Sequence, residues 1–158
     1  ETKYIGLENI APNEGTLCGE IDSEVLSIRS AKTVFSKNDV LYGKLRPYLN
    51  KVYFADFDGI CSTDIIVLRF DTSESAKVFS YYMRRKEFVD IAMESKSGQQ
   101  LPRTSWEKIK TILVPQYDEA NINSLMSAIR LFEQKRDTIT SSINELLSMQ
   151  ENVIHKHL

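Results

Sequence analysis

From residue 121 to residue 158 the chain runs NINSLMSAIRLFEQKRDTITSSINELLSMQENVIHKHL, with neither Gly nor Pro. Positions stepping alternately by 3 and 4 hold Ile122, Leu125, Ile129, Phe132, Arg136, Ile139, Ile143, Leu146, Gln150, Val153 and His157. Eight of these eleven are apolar, the heptad pattern of a helix that pairs with another helix. Arg136 and Gln150 interrupt the seam, where polar residues fix register and partner at some cost in stability. A helix of 38 residues spans about 57 Å at 1.5 Å per residue. That is several times the ~13 Å radius of gyration expected for a 100-residue domain. The spacing therefore predicts a projecting helix that meets a partner along Ile122–Val153. A helix folded back on its own domain would need a wider apolar stripe.

Working outward, the first 115 residues read as mixed α and β. Residues 4–7 and 39–42 are short strand candidates, and residues 51–55 are rich in β formers. Asp58-Gly59 is a turn signal ahead of the apolar, β-branched run 65–70, so the strands on either side of it are expected to form a hairpin. The period then changes. Val78, Tyr81, Tyr82, Phe88, Ile91 and Ala92 fit one or two amphipathic helices, with Ser73 or Ser75 as N-cap. A polar loop, residues 98–105, contains Pro102, and residues 109–114 return to β character before Pro115.

The whole chain has 158 residues, 42% apolar and 27% charged, too apolar for disorder and sized for one domain with an appendage. No apolar run approaches the roughly 18–20 residues of a membrane span. The start, Glu1-Thr2-Lys3-Tyr4, lacks a signal-peptide layout and an initiator Met, as a fragment or a processed chain would. Cys18 and Cys61 form no CxxC and read as two free thiols in a reducing cytoplasm. The net charge of −2 argues against a uniformly basic nucleic-acid binder, but the total conceals a pattern. Residues 29–54 hold six Lys/Arg against one Asp, and residues 76–110 hold eight against four acids, while the segments around them are acidic. If the fold joins these two blocks, a basic face results.

Catalytic signatures are weak. Both histidines, His155 and His157, sit at the far end of the long helix, which disfavours a hydrolytic triad. There is no GxxxxGK[ST] or GxGxxG loop. Asp56, Asp58 and Asp64, or Asp90 with Glu94 and Lys96, are the only carboxylate groupings that suggest a metal-dependent DNA-acting enzyme. A coiled-coil adapter that never touches DNA is the other alternative.

The stretch DVLYGKLRPYLNK, residues 39–51, resembles the signature run of the specificity subunits of type I restriction–modification systems. Other stretches agree in order: YIGLENI at 4–10, GICSTDIIVL at 59–68, SGQQLPR at 97–103 and ILVP at 112–115. The chain departs from that family in reading QYDEAN at 116–121, where members have a Pro-rich turn and a Glu-Gln pair. It also holds one recognition domain and one long helix, where members usually have two of each. The resemblance implies an α+β fold: a DNA target-recognition domain over residues 1–116, followed by a dimerisation and spacer helix over residues 117–158. It further implies a cytoplasmic protein without catalysis of its own that reads one half of a bipartite double-stranded DNA site. Methyltransferase and restriction subunits would dock on it, carrying S-adenosylmethionine, ATP and Mg. A second recognition half, in a homodimer, would pair by antiparallel helices.

Within that reading, phosphate contacts fall to Lys44, Arg46, Lys51, Arg84, Arg85 and Lys96. Base-reading chemistry lies in Gln99, Gln100, Arg103 and Thr104 on the polar loop. A motif shared across a family cannot encode a target that differs between members. Lys44 and Arg46 are therefore expected to serve scaffold or backbone contacts. Residues between motifs, such as Asn13, Arg29, Lys32, Ser36, Lys37 and Asn38, are expected to read sequence.

Overall fold

The computed structural model describes residues 2–21, 31–93 and 102–157, with side chains of the long helix described as far as Ile154. Arg29, Lys96, Gln99 and Gln100 lie outside the described residues. The chain divides into two compact units, Glu1–Gln116 and Tyr117–Leu158.

Among the described residues, six short strands build two sheets in the first unit. They are β1 (Lys3–Ile5), β2 (Lys32–Phe35), β3 (Val40–Gly43), β4 (Val52–Phe54), β5 (Gly59–Ser62) and β6 (Ile65–Leu68). One sheet has the order β1-β5-β2, with β1 parallel and β2 antiparallel to β5. The other has the order β4-β3-β6 and is antiparallel throughout. Helices α1 (Ser73–Tyr82) and α2 (Lys86–Met93) follow, then a short helix α3 (Trp106–Ile109).

The β4-β3-β6 sheet is the middle layer. Side chains alternate across a strand, so Val40, Tyr42, Val52 and Leu68 meet Ala76, Met83, Phe88 and Ala92 on the helical side. Leu41, Tyr53 and Ile65 meet Ile5, Phe35 and Cys61 on the other. All four residues of β3 are buried. A strand covered on both faces loses the polar half of its alternation, which explains the weak periodicity of residues 39–42. Burial pushes the Tyr42 hydroxyl up to about 12 and the Cys61 thiol up to about 11. Cys18 and Cys61 are both free thiols, the first exposed and the second buried.

Three local expectations are corrected. The strands flanking Asp58-Gly59 do not pair, because β3 lies between β4 and β6. Gly59 instead starts β5, where a Cβ would meet the Lys3 carbonyl at 2.6 Å and the Phe35 ring at 2.8 Å; the close approach of neighbours, not a turn, requires glycine there. Residues 109–114 form no strand. Ser105 caps α3 by accepting from the Lys108 N–H at 3.3 Å, and the N–H groups of Lys110, Thr111 and Ile112 donate to Trp106 O, Lys108 O and Ile109 O in local turns, which takes them out of any strand ladder. The N-cap of α1 is Thr72, whose Oγ1 accepts from the Ser75 N–H at 3.1 Å.

The second unit is α4, Glu119–His157, 39 residues long. Asp118 Oδ1 accepts from the Asn121 N–H at 2.7 Å and starts it. The expected partner seam from Ile122 to Val153 is corrected at its start: Ile122 and Ile129 are buried (8% exposed each), so they are not open to a partner helix, whereas Phe132, Ile139 (59% exposed), Ile143 (51%), Leu146 (64%) and Val153 remain exposed. No helix among the described residues is long and apolar enough to cross a membrane.

Candidate nucleic-acid interface

The two basic blocks meet through backbone. Leu45 and Arg103 form an isolated antiparallel bridge, with Arg46 N–H donating to Pro102 O at 2.8 Å and Thr104 N–H to Lys44 O at 2.9 Å. Lower down, Asn50 Nδ2 donates to Arg84 O at 2.8 Å. Arg46 and Asn50 bracket the 3-10 turn Pro47–Leu49 in left-handed conformations, φ 49° and 51°, which lets the chain turn back between β3 and β4. Beside it lies a hollow of about 400 Å³ lined by Leu7, Glu8, Leu45, Arg46, Leu49, Lys51, Ser62, Asp64 and Pro102.

Among the described residues, Lys44 and Arg46 form no salt bridge with a carboxylate. Arg103 Nη2 sits 2.8 Å from Asp64 Oδ1. The Asp64 backbone is fastened as well: its carbonyl accepts from Lys44 N–H at 2.8 Å, and its N–H donates to Ser62 Oγ at 3.2 Å. Asp64 thus belongs to this basic junction. The sequence offers only a faint signal of this, an acid in one motif and a base in another 39 residues away.

Several expected contact residues are occupied inside the protein. Lys51 Nζ donates to Leu7 O at 2.8 Å. Arg84 donates through Nη1 to Glu14 O at 2.6 Å and through Nε to Ser80 O at 3.2 Å, and it lies 4.1 Å from the Tyr81 ring centroid. Gly15, at φ +75°, leaves room for that guanidinium, which a Cβ would strike. Arg85 pairs with Glu87 at 3.3 Å and Lys32 lies over Tyr4 at 5.6 Å. Thr104 is only 3% exposed, so its hydroxyl cannot reach a base from this position. Asn38 adopts φ 74° and its N–H donates to Ala55 O at 2.8 Å; Asn tolerates this conformation at a turn better than most residues. Lys37 N–H donates to Asp58 Oδ1 at 2.7 Å, and its side chain is exposed.

Of the carboxylates weighed for metal chemistry, Glu94 lies outside the described residues, and the described ones are engaged separately. Asp56 accepts from the Tyr53 hydroxyl at 2.5 Å, Asp58 from the Lys37 backbone, Asp64 from Arg103, and Asp90 pairs with Lys86. Burial, and next the Asp56 partner, raise the Tyr53 hydroxyl above its ordinary range. Among the described residues no three His, Cys, Asp or Glu side chains gather to hold a metal ion.

No profile of a known protein family matches the chain. It is 28% identical over 130 residues to the type I restriction enzyme EcoDI specificity subunit of Escherichia coli, covering 80% of this chain and 28% of that protein. The HsdS subunit of Thermoanaerobacter tengcongensis superposes with a TM-score of 0.66 over 87% of this chain, at 22% identity. In sequence and in fold, the chain resembles a type I specificity subunit. A further chain, from a type I R-M system described for its complex assembly and conformational transition, superposes with a TM-score of 0.70 over 88% of this chain, at 20% identity. Both superpositions cover 37% of the solved chain. The chain therefore spans less than two fifths of the length of the proteins it matches.

Proposed function

We propose that this chain is the DNA-reading part of a type I specificity subunit, recognising one half of a bipartite double-stranded site without catalysis of its own. The observation that supports this best is the extent of the likeness. A match over 88% of the chain is longer than the first unit, Glu1–Gln116, so it takes in part of α4 too. The unpaired heads of Lys44 and Arg46 supply phosphate contacts, which set position rather than sequence.

In this reading α4 pairs antiparallel with a second copy, making a homodimer that sets the spacing of the two half-sites. Its exposed Ile139, Ile143, Leu146 and Val153 suit that role. Leu147, Met149 and Ile154 are exposed beside the same seam, and this wider stripe leaves room for more than one helix. We assign the extra width to docking of methyltransferase subunits, with restriction subunits joining them. S-adenosylmethionine, ATP and Mg then belong to those partners, in the cytoplasm.

The test is a binding titration of the pure chain on a duplex library at several salt concentrations. Affinity should fall linearly in log–log form as salt rises, because phosphate contacts release counterions, and one short sequence should be enriched. Equal binding to every sequence at all salts would refute the reading. Cleavage or methyl transfer by the pure chain with Mg²⁺ would favour the enzyme alternative.

A further inference from the structure

We infer that the hairpin tip at residues 12–15 enters the major groove and that Asn13 on it reads an adenine, an assignment that rests on the DNA reading proposed above. A side chain that reads a variable target must lie between the shared motifs, be free of partners inside the protein, and stand beside the cations that grip the backbone. The residues between motifs sort on these conditions. Lys32 lies over the Tyr4 ring. Ser36, Lys37 and Asn38 are exposed, but β3 separates them from Lys44 and Arg46 at its other end. Two carboxylates, Asp39 and Asp58, accept from the Ser36 and Lys37 N–H groups there, and they oppose an approaching phosphate. Asn13 meets all three conditions. It is exposed, and its side-chain amide has no hydrogen-bond partner among the described residues.

Backbone contacts place it. Ile10 and Leu17 form an isolated antiparallel bridge, and Ala11 N–H donates to Thr16 O at 2.9 Å, so residues 10–17 make a narrow hairpin. Asn13 and Gly15 turn its tip in left-handed conformations, φ 63° and 75°. Asn13 N–H donates to Asn50 O at 3.2 Å, at the close of the 3-10 turn that Arg46 opens. Arg84 Nη1 holds Glu14 O at 2.6 Å, and Asn50 Nδ2 donates to Arg84 O, which ties the two anchors together. Asn50, inside a shared motif, supplies a constant frame, while Asn13 can differ with the target. Fixing the tip beforehand lowers the ordering cost of a directional contact. Residues 11–16 hold no Lys or Arg, so the tip has no cation with which to grip a phosphate. A two-stranded β-ribbon fits the major groove, and there the donor and acceptor of an Asn amide match N7 and N6 of adenine.

The experiment is sequence selection from a random duplex library by the full chain, its Asn13→Asp variant and its Asn13→Gly variant, each first checked by thermal melting. Asp and Gly both tolerate the left-handed conformation. The wild type should require adenine at one position. Replacing that adenine by 7-deazaadenine should weaken binding about tenfold, within the range of one bidentate contact. Asn13→Asp exchanges the amide donor for a second acceptor, so the preference there should move to cytosine, whose N4 donates. Asn13→Gly should accept any base there and keep the other preferences. Equal loss on all sequences in both variants would make Asn13 a backbone contact and overturn the inference, as would a lower melting temperature with unchanged preferences. A wild type that selects nothing overturns the proposed function together with this inference, whereas selection that ignores Asn13 overturns this inference alone.

Discussion

Replacing Arg84 by Ala separates structural from DNA-contacting arginines. The guanidinium makes two hydrogen bonds to carbonyl oxygens, at 2.6 Å to Glu14 and 3.2 Å to Ser80, and packs on Tyr81 at 4.1 Å. Hydrogen bonds to a charged group contribute about 1.5–3 kcal/mol when well placed. The Glu14 contact is solvent-exposed and the Ser80 contact is long, so about 1 and about 0.5 kcal/mol are fairer values here. Stacking of the cation on the ring adds about 0.5 kcal/mol. The total is about 2 kcal/mol. A domain of this size loses roughly 4 °C of melting temperature per kcal/mol, so Arg84→Ala should melt about 8 °C lower. In the same variant, the slope of log affinity for DNA against log salt should not change, because no phosphate contact is removed. Differential scanning calorimetry and a salt-dependent titration measure the two quantities. An unchanged melting temperature with a slope shallower by about one would refute the structural assignment and return Arg84 to the DNA surface.

Three further outcomes are expected. Ile143, half exposed on α4, should bury about 1 kcal/mol of apolar contact on each side of a helix pair; Ile143→Asp adds a desolvated carboxylate and should convert the dimer to monomer in sedimentation at micromolar concentration. Phe88, 2% exposed in the helix-side core, should cost about 3–5 kcal/mol when cut to Ala, read as a large drop in denaturant midpoint. The Cys61 thiol, raised from about 9 to about 11 by burial, stays protonated in the folded state while the unfolded chain ionises. Stability should therefore fall by up to about 1.4 kcal/mol per pH unit between pH 9 and 11. Cys61→Ala should flatten that part of the profile, and a thiol reagent at neutral pH should label the exposed Cys18 before Cys61.

The junction that carries the proposed interface was only half readable from residues. Lys44, Arg46 and Arg103 have the right chemistry in sequence, and the charge blocks at 29–54 and 76–110 point to them. The roles of Lys51, Arg84 and Thr104 do not follow from residue type. Lys51 turns inward to a carbonyl, Arg84 fastens a distant loop, and Thr104 is buried. Each outcome depends on which segments lie next to each other, and a basic or polar residue looks the same in sequence whether its head meets water or a carbonyl. Asp64 shows the converse: its pairing with Arg103 spans 39 residues and turns an apparent metal-site carboxylate into an ion-pair partner.

The long helix is the part that the sequence determines by itself. Its information is local, a spacing of 3 and 4 repeated over five heptads with no Gly or Pro to break it, although its start at Asp118 is given by the structure. The existence of β3, β4 and β6 is local too, because β-branched and aromatic runs announce strands. Tertiary structure alone decides that β3 lies between β4 and β6, that Gly59 opens a strand in a second sheet, and that Arg103 meets Asp64. Strand order and ion pairing are settled by contacts between residues far apart in the chain, where the energy depends on burial and approach rather than on neighbours in sequence.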